Sequence, residues 1–151
     1  MPDALRFLVD TNILLRVSRP NDPNYRLIET SLKELEKQSS QLCFALQNVA
    51  EFWNVCTRPM EHNGYGLSLE ETRRRVESIE RSMTFLPDNE HVYSIWRALV
   101  IDQKVSGVQV HDAHIAATMI AHSVSRILTL NPGDFQRYSG LQVIHPNQIV
   151  E

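Results

Sequence analysis

The chain has 151 residues, 42% of them hydrophobic and 22% charged, which excludes a disordered or fibrous chain and fits one globular domain over residues 1–151. A chain of this size buries roughly two thirds of its unfolded surface, so its core needs neither disulfides nor a structural metal. The 15 Lys and Arg against 18 Asp and Glu leave a net charge of -3, which excludes a global basic field; any contact with phosphates must come from a local patch.

Cys43 and Cys56 both fall in apolar stretches, as small buried thiols of a reducing compartment do, and a cytoplasmic protein is expected. The apolar stretch Phe7 to Val9 is too short for a signal peptide and lies between Asp3 and Asp10. No run approaches the roughly 18 apolar residues of a membrane span, so neither export nor insertion is expected.

In chain order, LRFLVDTN reads as a short strand buried on both faces and ending at Asp10. Asp22 before Pro23 has the look of an N-cap with proline at the first helical position, predicting a helix to about Lys37. A short strand follows over Leu42 to Ala45. From Leu46, the spacing of Leu46, Val49, Ala50, Trp53 and Cys56 predicts a helix with those residues inward, ended by Pro59. A loop containing two of the five glycines comes next. Ser68 and Glu71 form a capping-box pattern opening a helix to about Ser82, and Asp88 opens another to about Gln103. The run DAHIAATMIAHSVS is nearly free of charge and predicts an enclosed helix. RILTL reads as a strand, Asn131, Pro132 and Gly133 as a turn, and LQVIH as a last edge strand. Strands alternating with helices predict a three-layer α/β fold with a mainly parallel sheet.

Open α/β sheets collect ligands at the carboxyl ends of their strands, where Asp10 stands with Thr11 and Asn12 behind it. On this residue alone, a metal ligand and a helix cap fit equally well. Asp112, at the start of the enclosed helix, carries the same two readings. Glu51 shares a helical stripe with Gln47, Asn54 and Arg58, and that stripe faces either solvent or something polar. Asp134 follows the strand RILTL in the turn NPGDF, where Asn131 is the other oxygen donor; both fit ordinary turn chemistry.

The acids become informative together, because strand carboxyl ends and helix N-termini share one edge of such a sheet. Carboxylates gathered there repel unless a cation joins them, and Mg²⁺ or Mn²⁺ takes oxygen ligands, with waters and phosphate oxygens completing its shell. That equipment suits metal-assisted phosphodiester hydrolysis.

Four segments in fixed order, LVDTNILLR at 8–16, LQNVAEFWNVCTRP at 46–59, GVQVHDAHIAA at 107–117 and LTLNPGDFQRY at 128–138, make the chain resemble the PIN-domain family, and within it the VapC-type toxins of bacterial toxin–antitoxin pairs. The resemblance implies a three-layer α/β/α PIN-like fold and a Mg²⁺-dependent endoribonuclease in which Mn²⁺ can substitute. It places the family's acids on Asp10, Glu51 and Asp112, with Asn131 or Asp134 in the fourth position and Asp10 and Asp112 as the metal ligands. It further implies RNA as substrate, a cognate antitoxin as partner and a homodimer away from membranes.

Arg16, Arg19 and Arg58 follow site acids closely in sequence or share a helix face with one, and are the candidates for phosphate contact. Arg73, Arg74 and Arg75 fit a solvated helix face, with Arg73/Glu77 and Glu77/Arg81 pairs at i,i+4. His111, His114 and His122 lack the spacing of a zinc site, and Trp53 and Trp96 sit at core spacing. Two other classes remain. A phosphatase of another α/β family that uses an aspartate pair wants a second acid where Asn12 stands. A non-catalytic PIN-like RNA-binding module would not need the acids.

Overall fold

The computed structural model describes residues 5–150, so Asp3, invoked above against a signal peptide, and both ends of the expected domain lie outside the described residues. Five strands form one sheet in the order β3-β2-β1-β4-β5: β1 (Arg6–Val9), β2 (Gln41–Ala45), β3 (Thr84–Leu86), β4 (Arg126–Leu128) and β5 (Gln142–Ile144). Every pairing is parallel. β1 is central, with Leu8 opposite Cys43 on one side and Ile127 on the other.

Alternation along the strands divides the interior in two. Phe7 and Val9 of β1, with Leu42 and Phe44 of β2, face a cluster completed by α1 (Thr11–Val17), α2 (Tyr25–Lys37), α3 (Leu46–Thr57) and α4 (Leu69–Ser82). Leu8, Cys43, Ala45 and Ile127 face a second cluster built with α5 (Glu90–Asp102) and α6 (Gln109–Ala121). This is the expected three-layer α/β/α arrangement, with helices covering both faces of a parallel sheet. Both cysteines are buried and free. Among the described residues no helix is long and apolar enough to cross a membrane.

Several local expectations change. α1, β3 and the terminal turn of helix α7 (Asn147–Val150) have no counterpart in the sequence reading. α1 and β3 are too short to show a period, and each exists because of its neighbours. Asp22 does not cap α2. Asn24 occupies the N-cap, while Asp22 accepts from the Asn24 N–H at 2.8 Å and pairs with Arg16 at 3.1 Å, holding a turn. Asn89, not Asp88, caps α5 and accepts from the His91 N–H at 2.9 Å. On α3 the inward face carries Asn48, Phe52 and Cys56, and Leu46 is 49% exposed. The apolar stripe was misphased there because a polar residue, Asn48, occupies the most buried line.

Ser68 caps α4 as expected, its Oγ accepting from the Glu71 N–H at 3.0 Å. Arg73 lies on the exposed face of α4 and pairs with Glu77 at 2.6 Å. The pairing of Glu77 with Arg81 is not among the ion pairs of the described residues; Arg73 pairs with Glu70 as well as with Glu77. α6 buries Ala113 and every residue from Ile115 to Met119, as its uncharged sequence predicts. Trp96 is half-buried, its indole N–H donating to the Val110 carbonyl at 2.9 Å.

Candidate active site

The strand order reverses direction at β1: the chain passes from β1 to β2 on one side and later places β4 on the other. The carboxyl ends of β1 and β4 therefore flank the sheet's switch point, where loops diverge and leave a crevice. A cleft of about 220 Å³ opens there, lined by Asp10, Thr11, Asn12, Leu15, Glu51, Val55, Asp112, Asn131 and Asp134. Seven of these nine residues are the acids and supporting residues singled out from the sequence.

Asp10 follows β1 directly, and its own N–H still pairs with the Leu128 carbonyl at 3.0 Å. It serves as N-cap of α1: Oδ1 accepts from the Thr11 N–H at 2.8 Å. Oδ2 accepts from the Thr129 hydroxyl at 2.8 Å and the Asn12 amide at 3.3 Å. The cap and the site are therefore one residue, and the alternatives left open by the sequence are not exclusive. Burial raises the Asp10 carboxyl above its ordinary value, against the pull of the Thr129 and Thr11 hydrogen bonds.

Asn12 locks this corner. Its amide also donates to Thr129 Oγ1 at 3.2 Å, and its Oδ1 accepts from the Leu130 N–H at 3.2 Å. Thr129 Oγ1 in turn accepts from the Asn131 N–H at 3.0 Å. Asn48, fully buried, ties Ala45 to the site: its Oδ1 accepts from the Ala45 N–H at 2.8 Å and its amide donates to Thr11 Oγ1 at 3.2 Å.

Glu51 stands on the polar side of α3 and reaches the cleft wall. Its Oε1 is buried without a hydrogen-bond partner, and its carboxyl is pushed up to about 7, first by burial and then by the charge of Asp10, against the pull of hydrogen bonding from Gln47 and Thr11. Asp112, in the first turn of α6, is also pushed up to about 7, by burial and by the charges of Asp10, Asp134 and Glu51; Arg137 pulls the other way. Asp134 is exposed in a short 3-10 turn, Pro132–Asp134, that Asn131 opens.

These observations bear on the expected cation. All polar donors in the cleft are oxygens or amides, its carboxylates repel one another, and one buried carboxylate oxygen has no partner. Among the described residues, no three His, Cys, Asp or Glu side chains converge to enclose a metal by themselves. A hard cation that keeps several waters and takes only one or two carboxylates fits this set, whereas a tetrahedral zinc does not. Two of the three candidate histidines are occupied otherwise: His114 contacts Gln47 and Asp88, and His122 Nε2 lies 2.7 Å from the Pro87 carbonyl.

Arg16, Arg19 and Arg58 do not line the cleft. Arg16 pairs with Asp22, Arg19 lies over the Tyr65 ring at 4.1 Å, and Arg58 donates to the Asn63 carbonyl at 3.0 Å. Arg137, which the sequence reading passed over, acts on Asp112 electrostatically. Thr129 was also passed over. The signal for it was present, since a threonine in RILTL sits where a strand beside β1 must end next to Asp10.

A family model for the PIN domain matches residues 7–141. Ribonuclease VapC1 of Rickettsia felis is 39% identical over 72 residues, 46% of this chain and 52% of that protein, so the match spans about half of the relative's length. Solved structures share the fold. VapBC2 from Rickettsia felis, bound to a DNA fragment from their promoter, superposes with a TM-score of 0.69 at 15% identity, covering 93% of this chain and 98% of that one. FitAcB from Neisseria gonorrhoeae gives 0.65 at 22% identity, covering 93% and 97%. VapBC-1 from nontypeable Haemophilus influenzae gives 0.66 at 20% identity, covering 95% and 99%.

Proposed function

Because this chain belongs to the PIN-domain family, we propose that it is a Mg²⁺-dependent endoribonuclease and the toxin of a toxin–antitoxin pair. The observation that carries the reading is the cleft at the switch point, where Asp10, Glu51, Asp112 and Asp134 meet with Glu51 Oε1 unpartnered. Asp10 and Asp112 would hold the cation. When bound, Mg²⁺ supplies activation of water and stabilisation of the charge that grows on the phosphate.

The remaining work belongs to the chain itself. Thr129, Asn12 and the Thr11 N–H fix both oxygens of Asp10, so that this carboxylate is oriented before substrate arrives. Glu51, which lines the cleft, is the carboxylate placed to accept a hydrogen of the attacking water. Asp134 and Asn131 provide the more exposed oxygens at the rim. Leu15 and Val55 are the apolar residues of the cleft lining. Arg137, whose charge is felt at Asp112, is the candidate for a substrate phosphate in place of Arg16, Arg19 and Arg58.

Similarity to VapBC and FitAcB proteins supports a protein antitoxin as partner. A cleft of unneutralised acids invites a basic inhibitor, and an antitoxin arginine set against Asp10, Glu51 and Asp112 would displace both cation and RNA.

The test combines two assays. Purified protein is expected to cleave RNA with Mg²⁺ or Mn²⁺ and to stop in excess chelator. Induction in the native host is expected to arrest growth, with relief by Asp10→Asn. Cleavage undiminished by chelation refutes the metal reading, and arrest by Asp10→Asn equal to that of the unaltered chain refutes the nuclease as the cause of toxicity.

A further inference from the structure

Glu51 and Asp112 must be held at a fixed separation, yet their helices belong to different cores. α3 packs with Phe52 and Cys56 into the cluster on one face of the sheet, while α6 packs with Ala113, Ile115, Ala116 and Met119 into the cluster on the other. Apolar packing therefore fixes each helix against the sheet and leaves their mutual placement to other contacts. Among the described residues one side-chain hydrogen bond joins α3 to α6: His114 Nδ1 lies 3.0 Å from Gln47 Oε1.

Gln47 stands one turn before Glu51 on the same stripe of α3, and His114 two residues after Asp112 on α6. The far side of the imidazole is also held. Nε2 lies 3.0 Å from each oxygen of Asp88, in the loop between β3 and α5, and Asp88 Oδ1 accepts from Thr118 Oγ1 at 3.5 Å. The ring is thus pinned at both nitrogens between two elements on the carboxyl side of the sheet. A rotation of α3 that carries Glu51 away from Asp112 must break the Gln47 contact.

Resting on the nuclease reading above, we propose that Asp88, His114 and Gln47 form a clasp that sets the distance between Glu51 and Asp112, with His114 a positioning residue that touches neither cation nor RNA. The clasp also steadies the first turn of α6, which carries Asp112, and ligand geometry at a metal site tolerates displacements of only about half an ångström, so its release should be felt first in cation affinity.

The experiment is calorimetric titration of Mn²⁺ into the unaltered chain, His114→Ala, Gln47→Ala and the double variant, each checked for folding by a circular-dichroism melt. Each single substitution is expected to weaken Mn²⁺ binding by about tenfold or more. The double variant should be no worse than the weaker single, because both remove one contact. Gln47→Ala breaks the same bond from the other helix and keeps the test decisive if His114→Ala does not fold. Mn²⁺ affinity within about twofold of the unaltered chain in folded Gln47→Ala, or losses that add in the double variant, overturns the clasp while leaving the nuclease standing. Failure of the unaltered chain to bind Mn²⁺ overturns both.

Discussion

Replacing Glu51 by glutamine should stabilise the metal-free protein at pH 8 and do almost nothing at pH 5. The carboxyl is pushed from its ordinary 4.5 to about 7 by burial and by Asp10, which outweigh the hydrogen bonding of Gln47 and Thr11, and its buried Oε1 has no partner. Between about pH 4.5 and 7 the folded chain keeps a proton at Glu51 that the unfolded chain has released. Its contribution to stability therefore falls as pH rises through that window, and the full penalty is present above it. At about 1.4 kcal/mol per pH unit, the upper bound is about 3–4 kcal/mol. Water reaching this half-buried side chain, and the cost of burying the glutamine amide in its place, reduce the expected gain to about 1–2 kcal/mol. For a domain of this size that is a rise in Tm of about 3–6 °C. The assay is a pair of melts in chelator at pH 5 and pH 8 for both proteins. Added Mg²⁺ should then raise the Tm of the unaltered chain and narrow the gap, because a cation that binds only the folded state stabilises it. Equal differences at the two pH values, or destabilisation at pH 8, would refute the argument that Glu51 is held at electrostatic cost.

Asp10→Asn and Asp112→Asn should each lower RNA cleavage by about a hundredfold or more with the fold intact, read as single-turnover rates beside a circular-dichroism melt. Asparagine caps a helix as well as aspartate does, so α1 should survive the first of these. Asp134→Asn, at the exposed rim, should cost no more than about tenfold in the same assay. Thr129→Val removes the hydroxyl that donates to Asp10 and accepts from the Asn131 N–H; it should lower cleavage by about tenfold and stability by about 1–2 kcal/mol, measured by urea titration. An unchanged rate in Thr129→Val would remove that hydroxyl from the site.

Legible in the sequence were the features carried by long apolar patterns and by position relative to them. The uncharged run of α6 announced an enclosed helix, and LRFLV ending in Asp10 announced a buried strand with an acid at its carboxyl end. The alternation of strands and helices implied a parallel sheet, hence one edge on which strand ends and helix starts share space. Those three inferences bring Asp10, Asp112 and Asp134 to one edge, while Glu51, inside a helix, joins them only through the resemblance to the PIN-domain family. α1 and β3 were not legible because elements of seven and three residues carry too little periodicity, and their stability comes from what they pack against.

Tertiary structure alone decided which polar residue answers which. Asn48 reads as an error in an apolar stripe until Ala45 and Thr11 are seen at its two ends. Asp22 and Asp88 read as helix caps, and each was drawn instead to a partner elsewhere: Asp22 to an arginine and Asp88 to a histidine distant in sequence. Arg16, Arg19 and Arg58 could be placed near the acids by spacing, but spacing carries no information on whether a guanidinium has already found a carboxylate, a ring or a carbonyl. The physical reason is common to all of these. Burial pattern is written in the local period of the chain, whereas a hydrogen bond or ion pair forms with whatever group the folded backbone brings within about 3 Å, and that is settled only when distant segments meet.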